Sequence, residues 1–330
     1  MFVAAAALVG VASQLDWDRV DGLGTPHAWF LLLVAAGLHL LTLPLKAAAW
    51  RAVLAASLTP AAGLSIRKIL PPVMVGAILN LALAGRVGEA ARVLLLHGRL
   101  GRDGHRAGLS VVVGSAITES MVSTAAWVGL VLMAGIVVPL PTSTWLVVGA
   151  VGTLWFLVVL AAVRGWGAPS SDGPARGVLA RSLKWGRGVW GHIVVGHRSL
   201  CHRATVAPLL MATVGGWLAQ LACVYAALRA FDLTGGWSAA TLVLVSLSVA
   251  QTIPLLPGNV GVFEAAVALP LVASFAVPAS TAVAVGVVLH IVQSAPVALA
   301  GAVALSREGQ GLATIVGTAR RLPRRSQVVA

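Results

Sequence analysis

The chain has 330 residues, 58% hydrophobic and only 10% charged, with a mean hydropathy of +0.94. A soluble domain carries about 25% charged residues, and a transmembrane β-barrel needs short segments of alternating polarity, so both are excluded. The 23 Lys+Arg against 10 Asp+Glu give a formal +13, which in so apolar a chain reports cytoplasmic loops and anionic headgroups rather than a nucleic-acid partner.

Apolar runs predict full spans near residues 1–15, 26–45, 107–137, 144–163, 206–229 and 278–304, with further apolar stretches at 70–85, 239–257 and 259–276. The fold class is therefore all-α: a polytopic helical membrane protein of about six full spans. The first run is short, but it has no basic start and no clear cleavage site, so it reads as a membrane helix and not a signal. The turn with Asp16, Asp18, Arg19 and Asp21 is net negative and is expected outside. The next connection, taken to hold Lys46, Arg51, Arg67 and Lys68, is expected in the cytoplasm. So is the basic loop 164–205, where Arg164, Arg176, Arg181, Lys184, Arg187, Arg198 and Arg203 face one acid, Asp172, and so is the tail 305–330 with its RRLPRR. The whole is one integral domain over 1–330, with a first half 1–163 and a second half 206–304. Arginine outnumbers lysine 20 to 3, a bias of GC-rich genomes that points to a bacterial cytoplasmic membrane. Cys201 and Cys223 point to neither a disulfide framework nor a metal cluster.

Residues 86–106 break simple alternation. They are strongly basic, yet they follow an apolar run that starts at cytoplasmic Lys68. A re-entrant hairpin at 70–85 removes the conflict, with Pro71, Pro72, Gly76, Asn80, Gly85 and Gly88 as its interruptions. A second hairpin is expected at 239–276, where two full spans satisfy the charges equally well.

The halves resemble each other. LAGRVGEAA (83–91) matches LPGNVGVFEAA (256–266), pairing Gly85 with Gly258, Gly88 with Gly261 and Glu89 with Glu264 at offsets of 173 to 175. Flanking spans keep nearly the same offset, and loop charges make the two sets run in opposite senses. That is an inverted repeat, an architecture whose interrupted helices meet at the midplane and build the substrate site there.

Ionisable residues inside a bilayer are costly and point to function. Arg86, Glu89 and Arg92 fall at i, i+3 and i+6, where Glu89 can pair with either arginine. One reading is a headgroup site whose arginines hold a phosphate; the other is an interfacial salt bridge. Glu264 has no basic neighbour in sequence, so Arg86 or Arg92 is its expected partner if the hairpins meet, with a protonated helix cap as the alternative. Glu119 and His290 stand at equivalent positions, 171 apart, and read either as proton-relay members or as polar residues packed between helices. Asn80 and Asn259 are expected to hold broken backbone with their amides, while Pro254, Pro257 and Gly258 end a helix by sterics.

Three segments carry a family resemblance: AWRAVL (49–54), NLALAGRVGEAAR (80–92) and PLLPGNVGVFEAA (254–266). They resemble the transmembrane domain of lysylphosphatidylglycerol synthases, which recurs in stand-alone flippase-like proteins. The resemblance spans nearly the whole chain and places Asn80, Arg86, Gly88, Glu89, Arg92, Gly258, Gly261 and Glu264 on matching positions. The chain departs from the pattern at Ala84, where the family has proline, and at Glu119, Ser120 and Ser123, where it has an arginine and an aspartate. The family's soluble aminoacyl-transfer domain is not expected, since 26 residues follow Ala304.

The resemblance implies movement of a polar lipid between leaflets; the mixed arginines and glutamates would suit an anionic phospholipid, aminoacylated phosphatidylglycerol or a polyprenyl-phosphate-linked sugar, and the motifs point to no cofactor or metal. A non-transporting subunit for a separately encoded synthase or glycosyltransferase is the second class. An intramembrane lipid-modifying enzyme is the third; it lacks HExxH and GxSxG, and Ser115 with His290 is its only visible dyad.

Overall fold

The computed structural model describes residues 24–58, 64–83, 87–102, 108–137, 142–163, 190–191, 203–251 and 257–307, and all regular structure among them is helical. In chain order the helices are α1 (Pro26–Ser57), α2 (Ile66–Ala82), α3 (Val87–Arg102), α4 (Leu109–Val137), α5 (Thr142–Val163), α6 (Arg203–Ala230), α7 (Gly236–Ala250), α8 (Val262–Phe275) and α9 (Ala279–Arg307). Local signals set the starts. Thr25 Oγ1 accepts the Ala28 N–H at 3.2 Å ahead of Pro26, and Ser65 Oγ accepts the Arg67 N–H at 3.3 Å.

Four helices are long and apolar enough to cross a membrane: Pro26–Ser57, Leu109–Ile136, Thr205–Ala230 and Ala279–Arg307. The 22 residues of α5 carry no charge and reach about 33 Å, enough for a fifth crossing of a hydrocarbon layer of about 30 Å. Of the expected spans, residues 1–15 lie outside the described residues, as does nearly all of the basic loop and tail.

The repeat is legible in helix lengths. A helix of 32 residues, two of 17 and 16, and one of 29 make the first half; helices of 28, 15, 14 and 29 make the second. The starts of α6, α7, α8 and α9 follow those of α1, α2, α3 and α4 by 177, 170, 175 and 170 residues. The long helices α1 and α6 pack antiparallel, with His39 on Gln220, Leu45 against Gly215, and Val53 clustered with Leu209.

Each pair of short helices is a hairpin whose ends come back together. Arg99 Nη1 donates to the Lys68 carbonyl at 2.9 Å across the base of α2–α3, and the Gly76 and Gly88 backbones touch nearer its tip. Gly235, just before α7, lies against Phe275, the last residue of α8. At 15 and 14 residues, α7 and α8 reach only about 22 Å, so 239–276 is a hairpin and not two full crossings. Each hairpin follows the C-terminal end of its long helix, and those helices are antiparallel, so the hairpins enter from opposite faces.

Two expectations need correction. Pro71, Pro72 and Gly76 do not interrupt the first hairpin: α2 runs through them, the break comes after Ala82, and the basic stretch from Val87 is the returning limb. Pro72 has no N–H for the Lys68 carbonyl four residues earlier, and Arg99 supplies the missing donor, which keeps the helix intact. Lys46 and Arg51 do not lie in a connection either, because α1 continues to Ser57.

The two largest apolar cores among the described residues divide the helices between them. One joins the C-terminal half of α1 to α2, α3 and the start of α4, around Leu43, Trp50, Ile69 and Leu96. The other joins the N-terminal half of α1 to α6, α7, α8 and α9, around Val224, Val243, Val267 and Leu289. Between them α9 crosses α2 so closely that a Cβ on Gly301 would stand 2.5 Å from Ile78 Cβ.

Candidate functional site

The first hairpin's tip is held by Asn80, whose Oδ1 accepts the Gly88 N–H at 2.8 Å and so satisfies an open donor at the start of α3. Gly88 is obligatory on steric grounds, since any Cβ there would overlap the Gly76 carbonyl oxygen. That register turns Glu89 and Arg92 toward α1 and α4. Arg92 is 2% exposed, yet it makes two ionic contacts: Nε lies 2.6 Å from Glu89 Oε2, and Nη2 donates to Glu119 Oε2 at 3.1 Å. Its guanidinium sits 4.8 Å over the Trp50 ring, and Trp50 Nε1 is fixed by Ser115 Oγ at 3.0 Å. Lys46 Nζ donates to Glu89 Oε1 at 3.2 Å, extending the chain outward to half-exposed positions. Arg92 Nε and Nη1 are both buried without a hydrogen bond among the described residues; Nε meets Glu89 through charge alone, and Nη1 meets no acceptor.

The second hairpin breaks more sharply. Gly258, Asn259 and Gly261 have φ of 66°, 53° and 86°, three left-handed residues within four positions, before α8 begins. Glu264 Oε2 accepts the Gly261 N–H at 2.6 Å, the glutamate half of a capping box. Its Oε1 lies 2.8 Å from His290 Nδ1 on α9, with both residues buried at 5% and 3% exposure. Phe263 stacks on the imidazole at 4.3 Å between centroids. The Pro257–Asn259 turn packs against α2, so the two interrupted elements meet.

The expected pairing of Glu264 with Arg92 is overturned, and Arg86, its alternative partner, lies outside the described residues. Both oxygens of Glu264 are taken by Gly261 and His290, and two of the three nitrogens of Arg92 face Glu89 and Glu119. Each half neutralises its own charge, because two desolvated ions gain most from partners on helices already packed together. Asn80 holds broken backbone as expected. Asn259 Oδ1 instead stays buried without a hydrogen-bond partner. Arg86, Gly85 and Pro254 lie outside the described residues, and Pro257 opens the short 3-10 turn. The serine of the enzyme reading is engaged, since Ser115 Oγ donates to the Val112 carbonyl at 2.8 Å and accepts from Trp50.

Lys46 and Trp50 were not anticipated as site residues. Their signal was present: they fall at i and i+4, on one face of a helix, and Trp50 lies in AWRAVL. Placing Lys46 in a connection, beyond the end of a span at residue 45, concealed it.

Over residues 1–301 the chain matches the family model described as Lysylphosphatidylglycerol synthase TM region. No curated protein and no solved structure matches it.

Proposed function

Because the chain belongs to the lysylphosphatidylglycerol synthase TM region family, we propose that it is a lipid translocator that carries a polar, phosphate-bearing headgroup past Arg92 while the tails stay in lipid. The family is one of membrane proteins of lipid synthesis or translocation; the translocator role is the reading that the geometry favours. One observation carries it: Arg92 is buried about 15 Å from the base of its hairpin, near half the depth of a hydrocarbon layer. A purely structural ion pair at that depth would satisfy every nitrogen, whereas Arg92 keeps Nη1 without a partner.

The chemistry follows from the neighbours. Glu89 and Glu119 hold the guanidinium fixed and charged, and the Trp50 face blocks one side of its plane. Nη1 is then the donor left for a phosphate oxygen, with half-exposed Lys46 as a second cation on the approach. The test is reconstitution of the purified protein in vesicles that carry a tail-labelled phospholipid, read by chemical quenching of the outer leaflet. The wild type is expected to move lipid from the inner leaflet within minutes, and Glu89→Gln to slow it at least about tenfold, the scale of one lost charge-assisted contact. An inert wild type would remove the reading in favour of a subunit that needs a partner synthase.

A further inference from the structure

We propose that the Glu264–His290 pair is a proton site that balances the charge of an anionic headgroup at Arg92, so that one proton and one singly charged lipid cross the membrane together. The inference rests on the translocation reading above and adds its energy coupling.

The first argument is the chemical difference between equivalent positions. In the first half, an acid on the long helix, Glu119, meets a hairpin arginine, and arginine does not deprotonate in proteins. In the second half the long helix supplies His290 and the hairpin supplies Glu264, and both partners can exchange protons. One site has a fixed charge; its counterpart has an adjustable one.

The second argument is charge balance. Among the described residues of the site, Lys46, Glu89, Arg92 and Glu119 sum to zero, so a phosphodiester headgroup adds one negative charge to that set in a medium of low dielectric. Glu89 and Glu119 are both held against permanently charged Arg92. The Glu264–His290 pair holds one proton in its neutral form. Taking a second gives a carboxylic acid beside an imidazolium, net +1; only an O–H or N–H bond forms, and the same proton is released when the headgroup leaves.

Among the described residues, no other titratable group contacts the pair. Helix α7 has no ionisable residue. On α9 the polar neighbours are Gln293, which donates to Cys223 of α6, and Ser294, which donates to the His290 carbonyl. On α1, His39 binds Gln220, Lys46 binds Glu89 and Arg51 donates to the Leu64 carbonyl, while His27 stands at the helix start. On α6, Tyr225 stacks on Trp237, and Arg203 and Arg229 lie at the helix ends. The cations of α2, Arg67 and Lys68, sit in its first turn, and Arg307 ends α9.

The third argument is a mechanical path. Glu264 Oε2 accepts the Gly261 N–H, a bond that weakens when the carboxylate is protonated. The adjoining turn packs on α2, and α2 supplies Asn80, which holds Gly88 beside Glu89. Protonation therefore loosens one hairpin tip against the element that positions the other.

The experiment uses the full chain in vesicles with tail-labelled phosphatidylglycerol, with labelled phosphatidylcholine as a zwitterionic control. Lipid movement is first measured without a gradient, then with about one pH unit across the membrane. One proton per lipid predicts up to about a tenfold excess of phosphatidylglycerol in the leaflet facing the alkaline side, and no bias for the control. Glu264→Gln and His290→Gln should each abolish the bias. Phosphatidylglycerol that moves but distributes evenly overturns the coupling and leaves translocation standing; no movement under any gradient overturns both. A bias surviving in Glu264→Gln removes this site. Where a variant moves no lipid, a lumenal pH dye in the wild type decides: an imposed phosphatidylglycerol asymmetry shifts lumenal pH if coupling holds and leaves it flat if not.

Discussion

Arg92 shows how much one side chain can be asked to do at mid-depth. Its guanidinium reaches Glu89 and Glu119 with separate nitrogens while its carbon sits 4.8 Å over the Trp50 ring, a geometry that lysine's single ammonium cannot reproduce. Arg92→Lys should therefore keep the charge and lose the function: at least about tenfold slower lipid movement in vesicles, with the protein still eluting as one species in detergent. A rate within twofold of wild type would mean that only positive charge matters there. Arg92→Ala should behave differently. It leaves Glu119, 3% exposed, without its cation, which costs about 3 to 5 kcal/mol and should appear as a lowered thermal transition in detergent. Replacing both partners, Arg92→Met with Glu119→Leu, should recover most of that stability and none of the transport, because the buried ions go together. A double variant as unstable as Arg92→Ala would show that packing on Trp50, and not the ion pair, holds α3 in place.

At the scale of elements, the hairpins depend on close approach of backbones. The limbs α2 and α3 touch where Gly76 faces Gly88, so Gly88→Ala should pry them apart at a cost of roughly 1 to 3 kcal/mol and draw Asn80 away from its N–H. A thermal transition unchanged by Gly88→Ala would place the break elsewhere. Much of this level is written in the chain. The matched GxVG and EAA segments located both breaks, the excess of arginine after Gly85 required a hairpin, and the helix lengths bear the repeat out. Two things were hidden for physical reasons. Pro71 and Pro72 look like breakers when read alone, but the carbonyl that Pro72 leaves open is filled by Arg99, 31 residues away. The partner of Glu264 is likewise set by which helices pack together. His290 is 26 residues on, and only the fold of α8 onto α9 brings it to 2.8 Å.

At the scale of the molecule, the antiparallel pairing of α1 and α6 dictates the rest. In a two-fold arrangement, equivalent residues of an antiparallel pair face each other where the axis passes. His39 and Gln220, 181 residues apart and bonded at 2.8 Å, do so at a separation close to the repeat offset. The bases of the two hairpins must then lie on opposite sides of the membrane, which single cysteines can test. With Cys201 and Cys223 replaced, Arg67→Cys marks the base of the first hairpin and Thr234→Cys the approach to the second, both at non-buried positions. A membrane-impermeant maleimide added to intact cells should label Thr234→Cys, because loop charges put the first hairpin's base in the cytoplasm, and should label Arg67→Cys only after the membrane is opened. Labelling of both from one side would contradict the inverted arrangement itself. The opposite pattern, Arg67→Cys from outside, would keep the inversion and reverse the orientation, setting the +13 of the chain against the positive-inside rule. The sidedness matters for function because the two sites differ in chemistry. A headgroup and a proton that cross together must load from one face and leave at the other, so Arg92 and Glu264–His290 must open to the same side at once although their hairpins enter from opposite sides. The Pro257–Asn259 turn on α2, and the close crossing of α2 by the His290 helix α9, are the contacts that can link their movements.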